Sequence, residues 1–210
     1  MSPIRLWVGV LAVSAWAAEP KLETLLQSVE ARYNHAKTLQ VQFQEQYTKS
    51  GEPRRTESGV LMLRKPGRMR WNYTQPQGKL FISDGKTLYL YTPDDNRAEQ
   101  MKLEAAGDMR APLAFLLGKL HFDKEFHNIK GQAEGEDTRI YAQPKSDELP
   151  YSAVEFVVTP DARIREVKVT GFDKSTLDFR FDQEKMDPAL DAKLFQFQLP
   201  PGAKLTEAAQ

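Results

Sequence analysis

The sequence contains no cysteine among its 210 residues, and this absence excludes several kinds of chemistry together. Disulfide bonds, thiolate nucleophiles, cysteine-ligated zinc sites and iron–sulfur clusters all require cysteine side chains. An excess of charge is missing as well, since 29 lysines and arginines face 29 aspartates and glutamates. Without surplus cations to neutralise phosphates, we expect no nucleic-acid partner.

The usual sequence signatures of enzymes are also absent. No G-x-S-x-G, H-E-x-x-H, P-loop or G-x-G-x-x-G motif occurs. His121 and His127 would share one strand face with Asp123 and Glu125, but this spacing matches no established metal site. A pair of carboxylates could still form a glycosidase site, although the sequence favours no particular pair. We therefore predict that the protein is not an enzyme and has no catalytic residue, metal site or cofactor.

Long apolar runs are missing after the first residues of the chain. Residues 1–17 hold one basic residue, Arg5, then about ten mostly apolar residues, and end in an Ala-Trp-Ala tripeptide. This order is typical of a cleaved secretory signal, and the run is shorter than the roughly 20 residues that span a bilayer. We predict cleavage after Ala17 or Ala18, which leaves a single domain over residues 18–210.

What is present begins with a helix-forming pattern from Pro20 to about Lys37. Apolar residues recur there at the i, i+3, i+4, i+7 and i+11 spacing of one helical face. They are Leu22, Leu25, Leu26, Val29 and Tyr33. The period then changes to two, with apolar residues opposite glutamines, which predicts a half-exposed strand. Its apolar residues are Leu39, Val41, Phe43 and Tyr47.

Strand patterns and turn residues alternate along the rest of the chain, and they predict about eleven strands joined mostly by hairpins. After the first strand, these cover residues 59–64, 68–73, 79–83, 87–91, 97–103, 138–142, 153–159, 164–170, 177–181 and 194–199. Such a sheet must close or cover its edges. We therefore predict a mainly β fold, either a strongly curved antiparallel sheet or a partly open barrel.

The hairpin over residues 80–91 is apolar on both faces, so a second element must cover it. The N-terminal helix is one candidate. The other is the segment 111–118, where proline near the start and glycine at the end predict a short helix without a polar side chain. Such a helix must be enclosed, and it is either an ordinary core helix or a lid over a ligand cavity.

Several motifs together resemble one known family. They are residues 64–71 (RKPGRMRW), 75–76 (QP), 82–91 (ISDGKTLYLY) and 193–202 (KLFQFQLPPG). Each motif is weak alone. Their order and spacing, together with the secretory signal, resemble the outer-membrane lipoprotein carrier (LolA) family from the N-terminal helix to about Gly202.

This resemblance implies an unclosed, twisted antiparallel β-barrel whose helices form a lid over an apolar cavity. It also implies a periplasmic chaperone that binds the acyl chains of lipoproteins released from the inner membrane by an ABC transporter. The cargo would pass to an outer-membrane receptor of the LolB kind. We expect the carrier to be a monomer.

The resemblance, combined with strand periodicity, indicates the ligand-binding residues. Met69, Trp71 and Tyr73 share the apolar face of their strand and are assigned to the acyl cavity, although ordinary barrel core would show the same pattern. Once the signal is removed, Trp71 is the only tryptophan. The lid would supply Leu113, Phe115, Leu116 and Leu117.

In the family, an arginine before the proline of the 64–71 motif switches the lid between closed and open states. This position holds Lys65 here, and lysine lacks the planar donor fork of arginine. Arg64 cannot take over the role within a strand, because adjacent side chains point to opposite faces. Lys65 is therefore the candidate lid switch.

Three other functions fit the same barrel. The lipoprotein receptor is anchored through an N-terminal cysteine, which this sequence lacks. A sensory or interaction module would be expected beside a further domain or a membrane segment. A periplasmic carrier of glycolipid or another amphiphile remains compatible with the sequence.

Overall fold

The computed structural model describes residues 19–103 and 120–207. Their helices are α1 (Glu19–His35), α2 (Phe122–Glu125) and a 3-10 helix (Ala192–Phe195). The strands are β1 (Thr38–Lys49), β2 (Glu52–Pro53), β3 (Glu57–Arg64), β4 (Arg68–Gln75), β5 (Leu80–Asp84), β6 (Thr87–Thr92), β7 (Arg97–Lys102), β8 (Phe126–Glu134), β9 (Asp137–Pro144), β10 (Tyr151–Val158), β11 (Ile164–Gly171), β12 (Thr176–Met186) and β13 (Lys204–Glu207).

The strands form one 13-stranded sheet in the order β13-β7-β6-β5-β4-β3-β1-β12-β11-β10-β9-β8, with β2 attached to β1. Neighbouring strands are antiparallel, except that β13 runs parallel to β7. β1 lies in the middle, where it pairs with β3 on one side and with the distant β12 on the other. Within the described ranges no pairing joins β13 to β8, so the sheet is unclosed, as predicted.

The sheet is strongly curled. Trp71 on β4 and Phe179 on β12 have two strands between them, which in a flat sheet would separate their backbones by about 14 Å. Their ring centroids nevertheless lie 5.6 Å apart. Side chains from the two halves of the sheet therefore meet on one inner face, and this face forms the core.

The predicted N-terminal helix is confirmed as α1, which packs on the inner face through its apolar stripe. Val29 and Tyr33 are buried, and the three leucines before them pack against the same core. A Cβ atom placed on Gly131 of β8 would come within 2.9 Å of the Leu22 side chain, so α1 rests directly on this strand. Neither described α-helix is both long and apolar enough to cross a bilayer.

The C-terminal segment corrects one predicted strand, and it covers one face of the hairpin for which the sequence offered two candidate covers. Residues 194–199 do not form a strand, and the 3-10 helix here contacts β4 and β5 on the outer face of the sheet. Phe195 is buried there, and Phe197 stacks on Tyr89 of β6 with ring centroids 4.7 Å apart. The outer face of the 80–91 hairpin is therefore covered by this segment and not by α1.

Three strands were not predicted, because their side chains lack apolar alternation. β2, β8 and β13 are largely exposed and are held by backbone pairing to β1, β9 and β7 respectively. His121 and His127 do not share one strand, since His121 precedes α2 and His127 lies on β8. The predicted lid helix falls outside the described residues.

Candidate functional site

The centre of the inner face is an aromatic cluster formed by Phe43, Trp71, Tyr73 and Phe179. Met69, Trp71 and Tyr73 alternate along β4 and are 5%, 1% and 2% exposed, so they share the inward face as predicted. Phe43 of β1 packs edge-on against Trp71 and Tyr73, with ring centroids 4.7 and 5.1 Å apart. Edge-to-face contacts of this kind add to the gain from burial.

Gly59 of β3 lies beneath these rings. Its register partners are Phe43 on β1 and Tyr73 on β4. A Cβ atom at this position would lie 2.2 Å from the carbonyl oxygen of Asn72, so any larger residue would force the two strands apart. Glycine therefore permits the close approach of β3 and β4 below the aromatic cluster.

The apolar side chains of α1 pack against the inner face beside the cluster. A void bounded by side chains of α1, β1, β3, β11 and β12 holds about 10 Å³, close to the minimum for one water molecule. Its walls include Tyr33, Leu39 and Phe181. A long apolar ligand at this place would have to separate these side chains.

The inner face becomes polar at one end of the aromatic cluster. Glu45 lies two residues beyond Phe43 on β1 and is 5% exposed. The Tyr73 hydroxyl lies 3.3 and 3.4 Å from its two carboxylate oxygens and donates to this group. Trp71 adds an indole N–H whose nitrogen is fully buried. An apolar lining that ends in a few polar groups suits an amphiphilic ligand.

Lys65 lies in the turn between β3 and β4, where it contacts the end of α1. Its ammonium group donates to the backbone carbonyls of Tyr33 at 2.5 Å and of Asn34 at 3.5 Å. A cation is favourable at this position because the last carbonyls of a helix have no intrahelical donor. Burial lowers the pKa of Lys65. Arg64, the last residue of β3, donates instead to the carbonyl of Leu190 at 3.2 Å.

The last two turns of α1 also hold the chain from residue 120 onward. The Asn34 side chain donates to the Leu120 carbonyl at 2.7 Å and accepts from the Leu120 N–H at 2.6 Å. One turn earlier, the Glu30 carboxylate accepts from the Phe122 N–H at 2.7 Å. Lys65 and residues 120–122 are therefore connected through α1.

Two side chains fasten α1 to the middle of the sheet. Tyr33 donates to the Glu184 carboxylate at 2.7 Å and accepts from the Ile164 N–H at 2.9 Å. Arg32 donates to the other oxygen of Glu184 at 2.6 Å. Burial, together with the negative charge of Glu184, raises the pKa of Tyr33 far above its usual value. The hydroxyl therefore stays protonated and keeps its role as donor.

A groove of about 420 Å³ lies on the outer face across β1, β11 and β12, and it is a poorer candidate for an apolar ligand. Its walls carry charges of both signs that pair with one another. Arg139 lies against Glu155 and Glu166, and Arg180 also lies against Glu166. Such pairs are typical of a solvated sheet face.

One group of possible metal ligands occurs among the described residues. The ligand atoms of Glu30, His121 and Asp123 lie within 4.8 Å of one another. Glu30 already accepts the Phe122 N–H, and Asp123 is exposed. These contacts are explained by the start of α2, and we assign no metal to them.

Sequence periodicity predicted the inward face of β4 but missed the groups around it. Glu45 continues the alternation of Leu39, Val41 and Phe43, and this period is the signal that could have indicated its burial. The contacts of Asn34 and Lys65 join distant parts of the chain and have no such signal. The four proposed lid residues lie outside the described residues; they are Leu113, Phe115, Leu116 and Leu117.

Comparison with known proteins gives the family. A sequence model described as outer membrane lipoprotein carrier protein LolA matches residues 34–198. The chain is 30% identical to the outer-membrane lipoprotein carrier protein of Methylococcus capsulatus over 209 residues, which cover 98% of this chain and 99% of that relative. It is 27% identical to the protein of the same name from Chromobacterium violaceum over 202 residues, which cover 96% and 97%.

A solved structure agrees with the fold. An uncharacterized conserved protein from Thermus thermophilus superposes with a TM-score of 0.52 at 12% identity, over 90% of this chain and 99% of that one. A likeness at this identity shows the fold alone, whereas the sequence match spans most of the chain from the end of α1 to the C-terminal segment. The chain therefore belongs to the outer membrane lipoprotein carrier (LolA) family.

Proposed function

We propose that this protein binds the acyl chains of lipoproteins and carries them across the periplasm to an outer-membrane receptor. Membership of the family and the names of its relatives support the role of a lipoprotein carrier. Secretion through residues 1–17, release of cargo by an inner-membrane ABC transporter and transfer to a LolB-like receptor complete the proposal. A carrier of this kind works by binding alone, without a catalytic step.

The inner face lined by Met69, Trp71 and Tyr73 is the observation that carries the proposal. Each methylene of an acyl chain gains about 0.8 kcal/mol when it leaves water. A lipoprotein therefore stays in its membrane or aggregates unless another apolar surface replaces the bilayer. A broad aromatic surface covered by one amphipathic helix can accept such chains and can also release them.

On the sequence alone, we also propose that the segment 111–118 covers the acyl chains from the side opposite β4. Lys65 would act on this cover indirectly. Its ammonium group holds the end of α1, and α1 holds Leu120, two residues after the segment. Lys65 would thus be a positioning residue for closure.

Fluorescence quenching by a brominated ligand tests the proposed function. The ligand is a synthetic peptide whose N-terminal cysteine carries two acyl chains brominated at mid-chain. Because bromine quenches an indole only at short range, we expect strong quenching of the Trp71 emission compared with the unbrominated peptide. The quenched component should be missing from the Trp71→Phe variant. Failure of the peptide to bind would contradict the carrier function, and binding without quenching would place the chains elsewhere.

A further inference from the structure

We propose that the indole N–H of Trp71 donates a hydrogen bond to the carbonyl that joins an acyl chain to the cargo. The inference rests on the proposed function and adds the chemical group that is recognised, an ester or amide carbonyl. The carrier would then distinguish acyl chains from alkyl chains of the same length.

The first observation is an unpaired donor inside the core. Trp71 is 1% exposed, and no acceptor among the described residues lies within hydrogen-bonding distance of its Nε1 atom. Buried indole N–H groups are normally paired, because an unpaired buried donor costs free energy. This unpaired donor lies in the middle of the candidate site, and it therefore calls for an explanation.

The aromatic neighbours of Trp71 do not pair its indole N–H. The neighbours of Trp71 in the aromatic cluster are Phe43 and Phe179, at 4.7 and 5.6 Å between ring centroids. Phenyl side chains carry no oxygen or nitrogen atom that could accept a hydrogen bond from the indole N–H. What tryptophan adds over phenylalanine here is the N–H donor together with a larger ring.

The second observation is the position of this donor. Trp71 stands between apolar Met69 and polar Tyr73 on the inward face of β4. The Tyr73 hydroxyl already donates to the buried Glu45 carboxylate. Within the described aromatic cluster, the Trp71 N–H is therefore the donor left for an incoming acceptor. A lipidated cysteine has the same order of polarity, with an apolar chain, then a carbonyl, then a polar head.

Two ligands that differ only in their carbonyl groups test the inference. One is a peptide whose N-terminal cysteine carries a dipalmitoyl-glyceryl diester, and the other carries the corresponding dihexadecyl diether. Their affinities are measured for the wild-type protein and for Trp71→Phe. We expect the substitution to weaken diester binding roughly three- to tenfold, the range of one neutral hydrogen bond, and to leave diether binding nearly unchanged.

A second measurement keeps the test independent of the variant's folding. In the wild-type protein labelled with ¹⁵N-tryptophan, the Trp71 indole proton should move downfield with the diester and much less with the diether. If Trp71→Phe lowered the affinity for both ligands equally, or if both ligands shifted the indole proton equally, the proposed hydrogen bond would be contradicted. The carrier function would remain intact. A wild-type protein that binds neither ligand would overturn the proposed function and the inference together.

Discussion

Single residues determine how the end of α1 is held. Lys65 stands where the family resemblance implies an arginine, and its ammonium group lies near two carbonyls of the last helical turn. A lysine offers rotatable donors on one nitrogen rather than a planar fork. Both hydrogen bonds therefore come from a single nitrogen atom, and both are lost when that atom is removed.

Replacing Lys65 with methionine should loosen the end of α1. The substitution keeps the apolar stem but removes the donor for the Tyr33 and Asn34 carbonyls. Because burial of the ammonium group has its own cost, we expect the free energy of unfolding to fall by only about 1 kcal/mol. Urea denaturation measures this loss, and amide exchange should become faster in the last turn of α1.

The matched control for this prediction is Lys65→Arg, which keeps a cation at the same place. It should retain most of the stability and the slow exchange. If Lys65→Met exchanged and unfolded like the wild-type protein, the contact with α1 would have no energetic role.

At this scale, prediction from sequence succeeded where the cause was local. Met69, Trp71 and Tyr73 share a face because strand side chains alternate, and the sequence displays that period directly. The partners of Lys65 are about thirty residues earlier in the chain, and only the packing of α1 against the sheet brings them near. Sequence spacing carries no information about such a contact.

Among the elements, the C-terminal segment shows how a strand-like pattern can mislead. Residues 194–199 alternate apolar side chains with glutamine, yet the Asp191 carboxylate accepts the Lys193 N–H at 2.9 Å and starts the 3-10 helix. Pro200 and Pro201 follow directly, and proline has no N–H to pair with a neighbouring strand. The segment forms backbone hydrogen bonds within its own 3-10 turn, and its aromatic side chains cover β4, β5 and β6.

Shortening the buried aromatic residue of this segment should destabilise the whole sheet. Phe195 is 1% exposed, so Phe195→Ala leaves a cavity and should cost about 3 kcal/mol of unfolding free energy. Leu199→Ala is the control, because Leu199 is 45% exposed in the same segment and should change stability little. Guanidinium denaturation compares the two variants. If Phe195→Ala cost no more stability than Leu199→Ala, the burial of Phe195 would not contribute to holding this segment on the sheet.

The two strands at the edges of the sheet were also not predicted from the sequence. β8 and β13 carry mostly polar side chains on both faces, and their strand conformation comes from backbone pairing with β9 and β7. A strand inside the sheet, such as β11, can be predicted from its alternating apolar residues, which include buried valines. An edge strand is defined by its neighbour, which the sequence does not show.

At the scale of the whole molecule, the sheet curls so that side chains from its two halves meet on one apolar inner face. Among the described residues, α1 is held on this face by the hydrogen bonds of Tyr33 and Arg32 to Glu184 and by the bond from Lys65 to the Tyr33 carbonyl. If the proposed cargo enters between α1 and the sheet, these hydrogen bonds must break, and their strength would then set how readily the face opens.

Identification of the bound molecules would test the central claim most directly. The protein is purified from the periplasm of the bacterium that produces it, and its ligands are identified by native mass spectrometry followed by dissociation. We predict a heterogeneous set of acylated lipoproteins, each bound as one cargo molecule to one carrier. A uniform free lipid or glycolipid in their place would contradict a lipoprotein carrier and would indicate a carrier of another amphiphile on the same fold.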